Sequence, residues 1–168
     1  MKKHNISFYI DEINKSNLIT KSDCLSKNQQ QKDFILIVDD NHIISDSLKR
    51  IIKNILDEEN LFIELIILQD GFDILKYFMG NEKKIEKIKC IFTDENMDYL
   101  NGSEAIKLIR ILEKKEKFFH INIISTTCYE DPKQINYILN SGADLVLSKP
   151  ISKSSIKNTF KKFDIIKE

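Results

Sequence analysis

Apolar residues run along this chain in two alternating rhythms. Phe34 to Val38 is an unbroken apolar run closed by Asp39 and Asp40, the pattern of a strand covered on both faces. Directly afterwards Ile44, Leu48, Ile51, Ile52 and Ile55 recur at offsets of 4, 7, 8 and 11, which gathers them on one side of a helix. The pair then repeats. Short apolar runs predict further strands at 61–68, 89–93, 121–126 and 144–148, and amphipathic stretches predict helices at 71–79, 103–116, 132–140 and 153–163. Five strands alternating with five helices specify an α/β fold, a parallel sheet with helices on both faces.

Local signals sharpen the boundaries. Asp131-Pro132 reads as a helix cap followed by a first-turn proline, Ser103 and Ser152 read as caps, and Asn140-Ser141-Gly142 reads as a stop. Residues 1–32 differ: Ile6, Phe8, Ile10, Ile13, Leu18, Ile19 and Leu25 are scattered among Asn, Ser, Lys and Gln. They read as a flexible N-terminal extension with a short helix near Ser7 to Asn14.

Composition narrows the classes of function. The 168 residues, 42% apolar and 31% charged, suit one soluble domain and a tail. The 26 basic and 26 acidic side chains cancel, and every basic residue except Arg50 and Arg110 is lysine. Neither a global field nor a supply of bidentate donors is present to hold DNA or RNA. The longest apolar stretch, Leu61 to Leu68, contains Glu64 and is far shorter than the ~20 residues of a membrane span. Cys24, Cys90 and Cys128 are odd in number and widely spaced, which fits a reducing, cytoplasmic setting.

Candidate chemistry gathers at the strand ends. In an open parallel sheet, ligands bind beyond the carboxyl ends of the strands. Here those ends carry Asp39-Asp40, Thr93-Asp94, Thr126-Thr127 and Ser148-Lys149-Pro150. Three carboxylates brought together repel one another unless a cation offsets them, and hard oxygen ligands of this kind suit Mg²⁺. Asp94 could then attack phosphorus, with Lys149 supplying positive charge and Thr127 a hydroxyl hydrogen bond. The chemistry implied is phosphoryl transfer to an aspartate.

Ile35-Leu-Ile-Val-Asp39-Asp40-Asn41, Thr93-Asp94-Glu-Asn-Met97, Asn101-Gly102, Ile123-Ile-Ser-Thr-Thr127, Ser141-Gly-Ala-Asp144 and Leu147-Ser-Lys149-Pro150 occur in this order. Together they resemble the receiver domain of two-component response regulators, over residues 33–165. The resemblance implies a flavodoxin-like (βα)5 fold with strand order 2-1-3-4-5. It makes Asp94 the phosphoacceptor and gives Mg²⁺ to Asp39, Asp40, Asp94 and the backbone carbonyl of Asn96. It assigns phosphoryl contacts to Thr127 and Lys149, and a cis Lys149–Pro150 bond that aims the lysine into the site. The partner implied is a histidine kinase or histidine phosphotransfer protein, and Thr-Asp-Glu-Asn-Met is wording typical of receivers from hybrid sensor kinases. Such a domain catalyses its own phosphorylation and slow dephosphorylation without being a turnover enzyme. With the sequence closing at Glu168 after the fifth helix, output is expected through surface contacts with an unidentified protein or through phosphate traffic, and homodimerisation is open.

Departures from the family pattern carry their own expectations. Asp98 stands where the family usually has Pro, Cys128 where it has Ala, and Val146 where a Tyr or Phe usually turns inward. With no ring to relocate, readout should fall on the segment between Thr127 and Gly142. Asn96 and Tyr129 occupy positions that tune phosphoryl lifetime in the family. A phosphorylation-independent interaction module is the alternative, drawn from Val146 and Asp98. A dehalogenase-type phosphohydrolase would need a DxD pattern on the first strand and a cap domain, neither of which is present. His4, His42 and His120 are expected in surface or capping roles, and Phe118, Phe119, Phe160 and Phe163 in packing helices onto the sheet.

Overall fold

The computed structural model describes residues 32–80, 82–116 and 119–167. The expected helix near Ser7 to Asn14, and the extension apart from Lys32, lie outside these segments. In chain order the elements are β1 Asp33–Val38, α1 His42–Glu58, β2 Ile63–Leu68, α2 Gly71–Gly80, β3 Ile88–Asp94, α3 Gly102–Glu116, β4 Asn122–Thr127, α4 Pro132–Asn140, β5 Leu145–Ser148 and α5 Lys153–Lys162. A single helical turn, Glu82–Ile85, stands between α2 and β3. The strands are parallel throughout and lie in the order β2-β1-β3-β4-β5, the order the resemblance implies. Among the described residues no helix is long and apolar enough to cross a membrane.

The continuous apolar runs are explained by where their strands lie. Ile35, Leu36 and Ile37 of β1, Ile91 of β3, and Ile123 and Ile124 of β4 are wholly enclosed, because successive side chains face opposite ways and both faces are covered. On one face Ile35, Ile37, Cys90, Phe92 and Ile124 pack with Leu48, Ile52 and Ile55 of α1 and with Ile156 and Phe160 of α5. Phe160 meets Phe92 edge to face, ring centroids 6.2 Å apart. On the other, α2 lies against α3 and β2, and α3 against β4, with Ile74, Leu75, Ile106 and Ile109 enclosed. Each such side chain contributes roughly 1.5–3 kcal/mol by leaving water. With all strands parallel, their carboxyl ends share one edge of the sheet.

Two of the three expected caps form as read. Asp131 accepts from Lys133 N at 3.0 Å with Pro132 in the first turn, and Ser152 accepts from Ser155 N at 3.1 Å. Ser103 does not cap. The helix already begins at Gly102, and the Ser103 hydroxyl instead donates to Glu95 Oε1 at 2.8 Å. Gly102 is required there: a Cβ would come within 2.3 Å of the Asp94 carbonyl oxygen. Phe160 packs as expected and Phe163 lies against the same core, but Phe119 is exposed, which corrects its reading as a packing residue. The Glu113 carboxylate takes the Ile121 N–H at 2.8 Å, closing the chain onto α3 only at Ile121, two residues after Phe119. Phe118 lies outside the described residues.

Candidate functional site

The edge formed by the strand carboxyl ends carries a compact ionic cluster. Asp39 follows β1, Asp94 ends β3, Thr127 ends β4 and Lys149 follows β5. Asp39, Asp94 and Thr127 are all buried. Asp39, Asp40 and Asp94 each offer a carboxylate oxygen within 4.8 Å of the others. Lys149 Nζ sits between two of them, 2.8 Å from Asp39 and 2.9 Å from Asp94. Three carboxylates face one ammonium, and an all-oxygen set with surplus negative charge fits a hard divalent cation such as Mg²⁺. The Asn96 carbonyl accepts no hydrogen bond among the described residues, which leaves its oxygen available to a cation.

Burial sets the electrostatics. It pushes the Asp94 carboxyl above the ordinary carboxylate range; the hydrogen bond and charge of Lys149 oppose this, and the Asp39 charge adds to it. For Lys149 burial works to lower the value, but the hydrogen bonds and charges of Asp39 and Asp94 outweigh it and the net direction is upward. The lysine is therefore held as an ammonium. Thr127 Oγ1 accepts from Tyr129 N at 3.0 Å, which leaves the hydroxyl hydrogen to donate toward the site. Lys149 N donates to the Thr127 carbonyl at 2.8 Å, and the Lys149–Pro150 bond is cis.

The loop after Asp94 is pinned at both ends. Glu95 is buried, its carboxylate taking Ser103 N at 3.0 Å and its carbonyl taking Gly102 N at 3.0 Å. Burial raises the Glu95 carboxyl, against the pull of its Ser103 hydrogen bonds. Further along, Tyr99 N and Leu100 N donate to Asp70 Oδ2 at 3.0 and 3.3 Å. Asn96 lies between these pins, and its Oδ1 accepts from the Tyr129 hydroxyl at 2.9 Å. Asn96 and Tyr129, expected only as separate tuning positions, are thus one hydrogen-bonded pair. Cys128 is exposed, and Val146 is half-buried beside Ser125 in the β4–β5 register.

Sequence reasoning missed three of these contributors. Asp70 before Gly71 carries an ordinary cap signature, but the partners of its Oδ2 lie about thirty residues away. Glu95 read as filler inside a motif. Arg110 forms a network at the opposite edge of the sheet: it donates to Glu113 at 2.6 Å, Ile121 O at 2.9 Å, Gly142 O at 2.9 Å and Asp144 at 2.7 Å. His120, on the surface as expected, joins through Asp144 at 2.6 Å. Arg110 being one of two arginines in a lysine-rich chain was the available signal.

Comparison with known proteins gives this arrangement its place. The family model described as the response regulator receiver domain matches residues 35–161. The chain belongs to that family. This receiver is 32% identical over 130 residues to the osmosensing histidine protein kinase SLN1 of Saccharomyces cerevisiae, a match covering 77% of the chain and 10% of the relative. It spans a tenth or less of the length of the curated relatives it matches, all of them histidine kinases. Among solved structures it resembles the receiver domain of sensor histidine kinase PA1611 from Pseudomonas aeruginosa, crystallised with magnesium in its active-site cleft (TM-score 0.62, 17% identity, 79% of this chain and 97% of that one). It also resembles the Saccharomyces cerevisiae complex of the histidine phosphotransfer protein Ypd1 with the receiver domain of Ssk1 (TM-score 0.63, 23% identity, 79% of this chain and 88% of that one). Both likenesses concern the fold.

Proposed function

We propose that residues 33–165 form a phosphoacceptor receiver that takes a phosphoryl group onto Asp94 from a phosphohistidine partner, with Mg²⁺ as cofactor. The observation that carries the reading is the convergence of Asp39, Asp40 and Asp94 within 4.8 Å beside the Lys149 ammonium. An Asp94 oxygen bonds to phosphorus as the P–N bond breaks; the electron pair stays on the imidazole nitrogen, which takes up a proton from solvent. Asp39, Asp40 and Asp94, with the Asn96 carbonyl, would hold the Mg²⁺. When bound, the ion neutralises charge on the transferring phosphoryl oxygens. In this reading Lys149 leaves the Asp94 carboxylate for the phosphoryl group, and Thr127 donates its hydroxyl hydrogen to it. Slow hydrolysis returns the carboxylate.

The donor in this reading is a histidine kinase or histidine phosphotransfer protein, supported by the kinase relatives and by the neighbour solved with Ypd1. Incubation with acetyl phosphate and Mg²⁺, followed by intact mass measurement, tests the reading. A stoichiometric adduct on wild type and none on Asp94→Ala is expected. No adduct on either would favour the phosphorylation-independent module, for which Val146 and Asp98 speak, and rapid multiple turnover would mark a phosphohydrolase.

A further inference from the structure

Asp70 stands at the start of α2, on the far side of the acceptor loop from β4. It is 7% exposed, and its two oxygens do different work. Oδ1 accepts Phe72 N at 2.8 Å, fixing the first turn of α2. Oδ2 accepts Tyr99 N and Leu100 N, five and six residues beyond Asp94. The two elements are in close apposition at this point: a Cβ on Gly71 would come within 2.5 Å of the Leu100 carbonyl.

The acceptor loop is packed at Met97 and Leu100, which are buried, but not between them. Asp98 occupies the position where the family usually carries proline, so this chain lacks the ring that would fix φ there. Tyr99, next in sequence, is 81% exposed and gains no hold from side-chain packing. Within the loop the Met97 N–H reaches Asn101 Oδ1 only at 3.4 Å. The shorter restraints come from Glu95 at the base, from the Tyr129 hydroxyl on Asn96 Oδ1 at 2.9 Å, and from Asp70 at the crest. A charged acceptor binding two backbone N–H groups is strong where water is largely excluded.

We propose that Asp70 is a positioning residue for the phosphoacceptor site. Through Tyr99 N and Leu100 N it holds the acceptor loop so that the Asn96 carbonyl is presented to the cation bound by Asp39, Asp40 and Asp94. Asp70 thus restrains the loop in a chain whose position 98 is not proline. The inference rests on the metal site proposed above, and it adds a residue that touches neither metal nor phosphate.

Mg²⁺ titration followed by amide chemical shifts, with thermal melts in parallel, tests it. In Asp70→Ala, Mg²⁺ affinity should fall about tenfold, as for other residues that orient metal ligands from outside the coordination sphere. Asp70→Asn, nearly isosteric, serves if the alanine variant unfolds. Its amide can offer an acceptor toward Phe72 or toward Tyr99 and Leu100 but not both, so a smaller loss is expected. The decisive variant is Asp70→Ala with Asp98→Pro. The Asp98 N–H forms no hydrogen bond among the described residues, and proline there should recover most of the lost affinity. Affinity within twofold of wild type in the folded single variants overturns the proposal. So does a loss that Asp98→Pro leaves unrecovered, which would assign Asp70 to capping α2 alone. A wild-type protein that binds no Mg²⁺ would instead reject the metal site.

Discussion

Lys149 is ion-paired with Asp94 at 2.9 Å, on the carboxylate that the proposed reaction uses as nucleophile. Its second pairing, with Asp39 at 2.8 Å, makes it the counter-ion of both buried acids. In Lys149→Ala those acids lose it, and removing one partner of a buried pair costs about 3–5 kcal/mol. Urea denaturation in chelator should show a loss of that order, partly restored by Mg²⁺. Phosphorylation by acetyl phosphate should slow about a hundredfold, measured by intact mass against time. Unchanged stability in chelator would remove Lys149 from this role.

The upward direction of the Asp94 pKa has a definite sign in stability. A raised folded-state value means that the fold prefers the protonated acid, so that contribution is complete at acid pH and is lost as pH rises through the folded value. In chelator, Asp94→Asn should therefore melt above wild type at neutral pH. The gap should close as pH falls below the ordinary carboxylate range. A gap that stays constant with pH would contradict the burial of this carboxylate.

Mg²⁺ should stabilise the protein through the same acids. A ligand that binds only the folded state adds about 1.4 kcal/mol at ten times its Kd. Melts with and without Mg²⁺ should show this gain in wild type and lose it in Asp40→Asn.

Glu58 at the end of α1 pairs with Lys153 and Lys157 of α5, which lowers its carboxyl from the ordinary 4.5 to about 2. A depressed acid contributes stability above its unfolded value and loses it as pH falls through the folded one. The melting difference between wild type and Glu58→Gln should be small, weakened by salt, constant above pH 4.5 and gone near pH 2.

Val146 brings no ring to β5, so binding of beryllofluoride should be reported elsewhere. The Thr127 hydroxyl is tied to Tyr129 N, and the Tyr129 hydroxyl to Asn96. A moving Thr127 therefore pulls on both. Amide shifts are expected at Asn96, at Tyr129 and onward to Gly142; shifts confined to Asp39, Asp94 and Lys149 would refute this.

The five βα units were legible because each writes a repeating signal: a continuous apolar run, or a stripe at helical spacing such as Ile44, Leu48, Ile52 and Ile55. Parallel topology then placed Asp39, Asp94, Thr127 and Lys149 on one edge without any further information. Asp70, Glu95 and Arg110 were not legible in the same way. Among their partners are backbone groups eight to thirty-odd residues distant, and such bonds leave no period in the sequence. Phe119 misled because hydrophobicity alone does not say where a chain turns away from its core.

The Arg110 network has a mechanical consequence for α4. It grips Gly142 and Asp144 just beyond that helix, and Ile138, the buried residue of α4, lies near the same end. The opposite end begins at Pro132, five residues after Thr127. Nine helical residues extend about 13 Å, so the Arg110 grip at the tail of α4 lies about that far from the helix's first turn. Under the proposed phosphorylation of Asp94, a displacement of Thr127 would reach α4 through its first turn, the end farthest from the Arg110 grip, with Tyr137 and Leu139 on the helix's exposed surface.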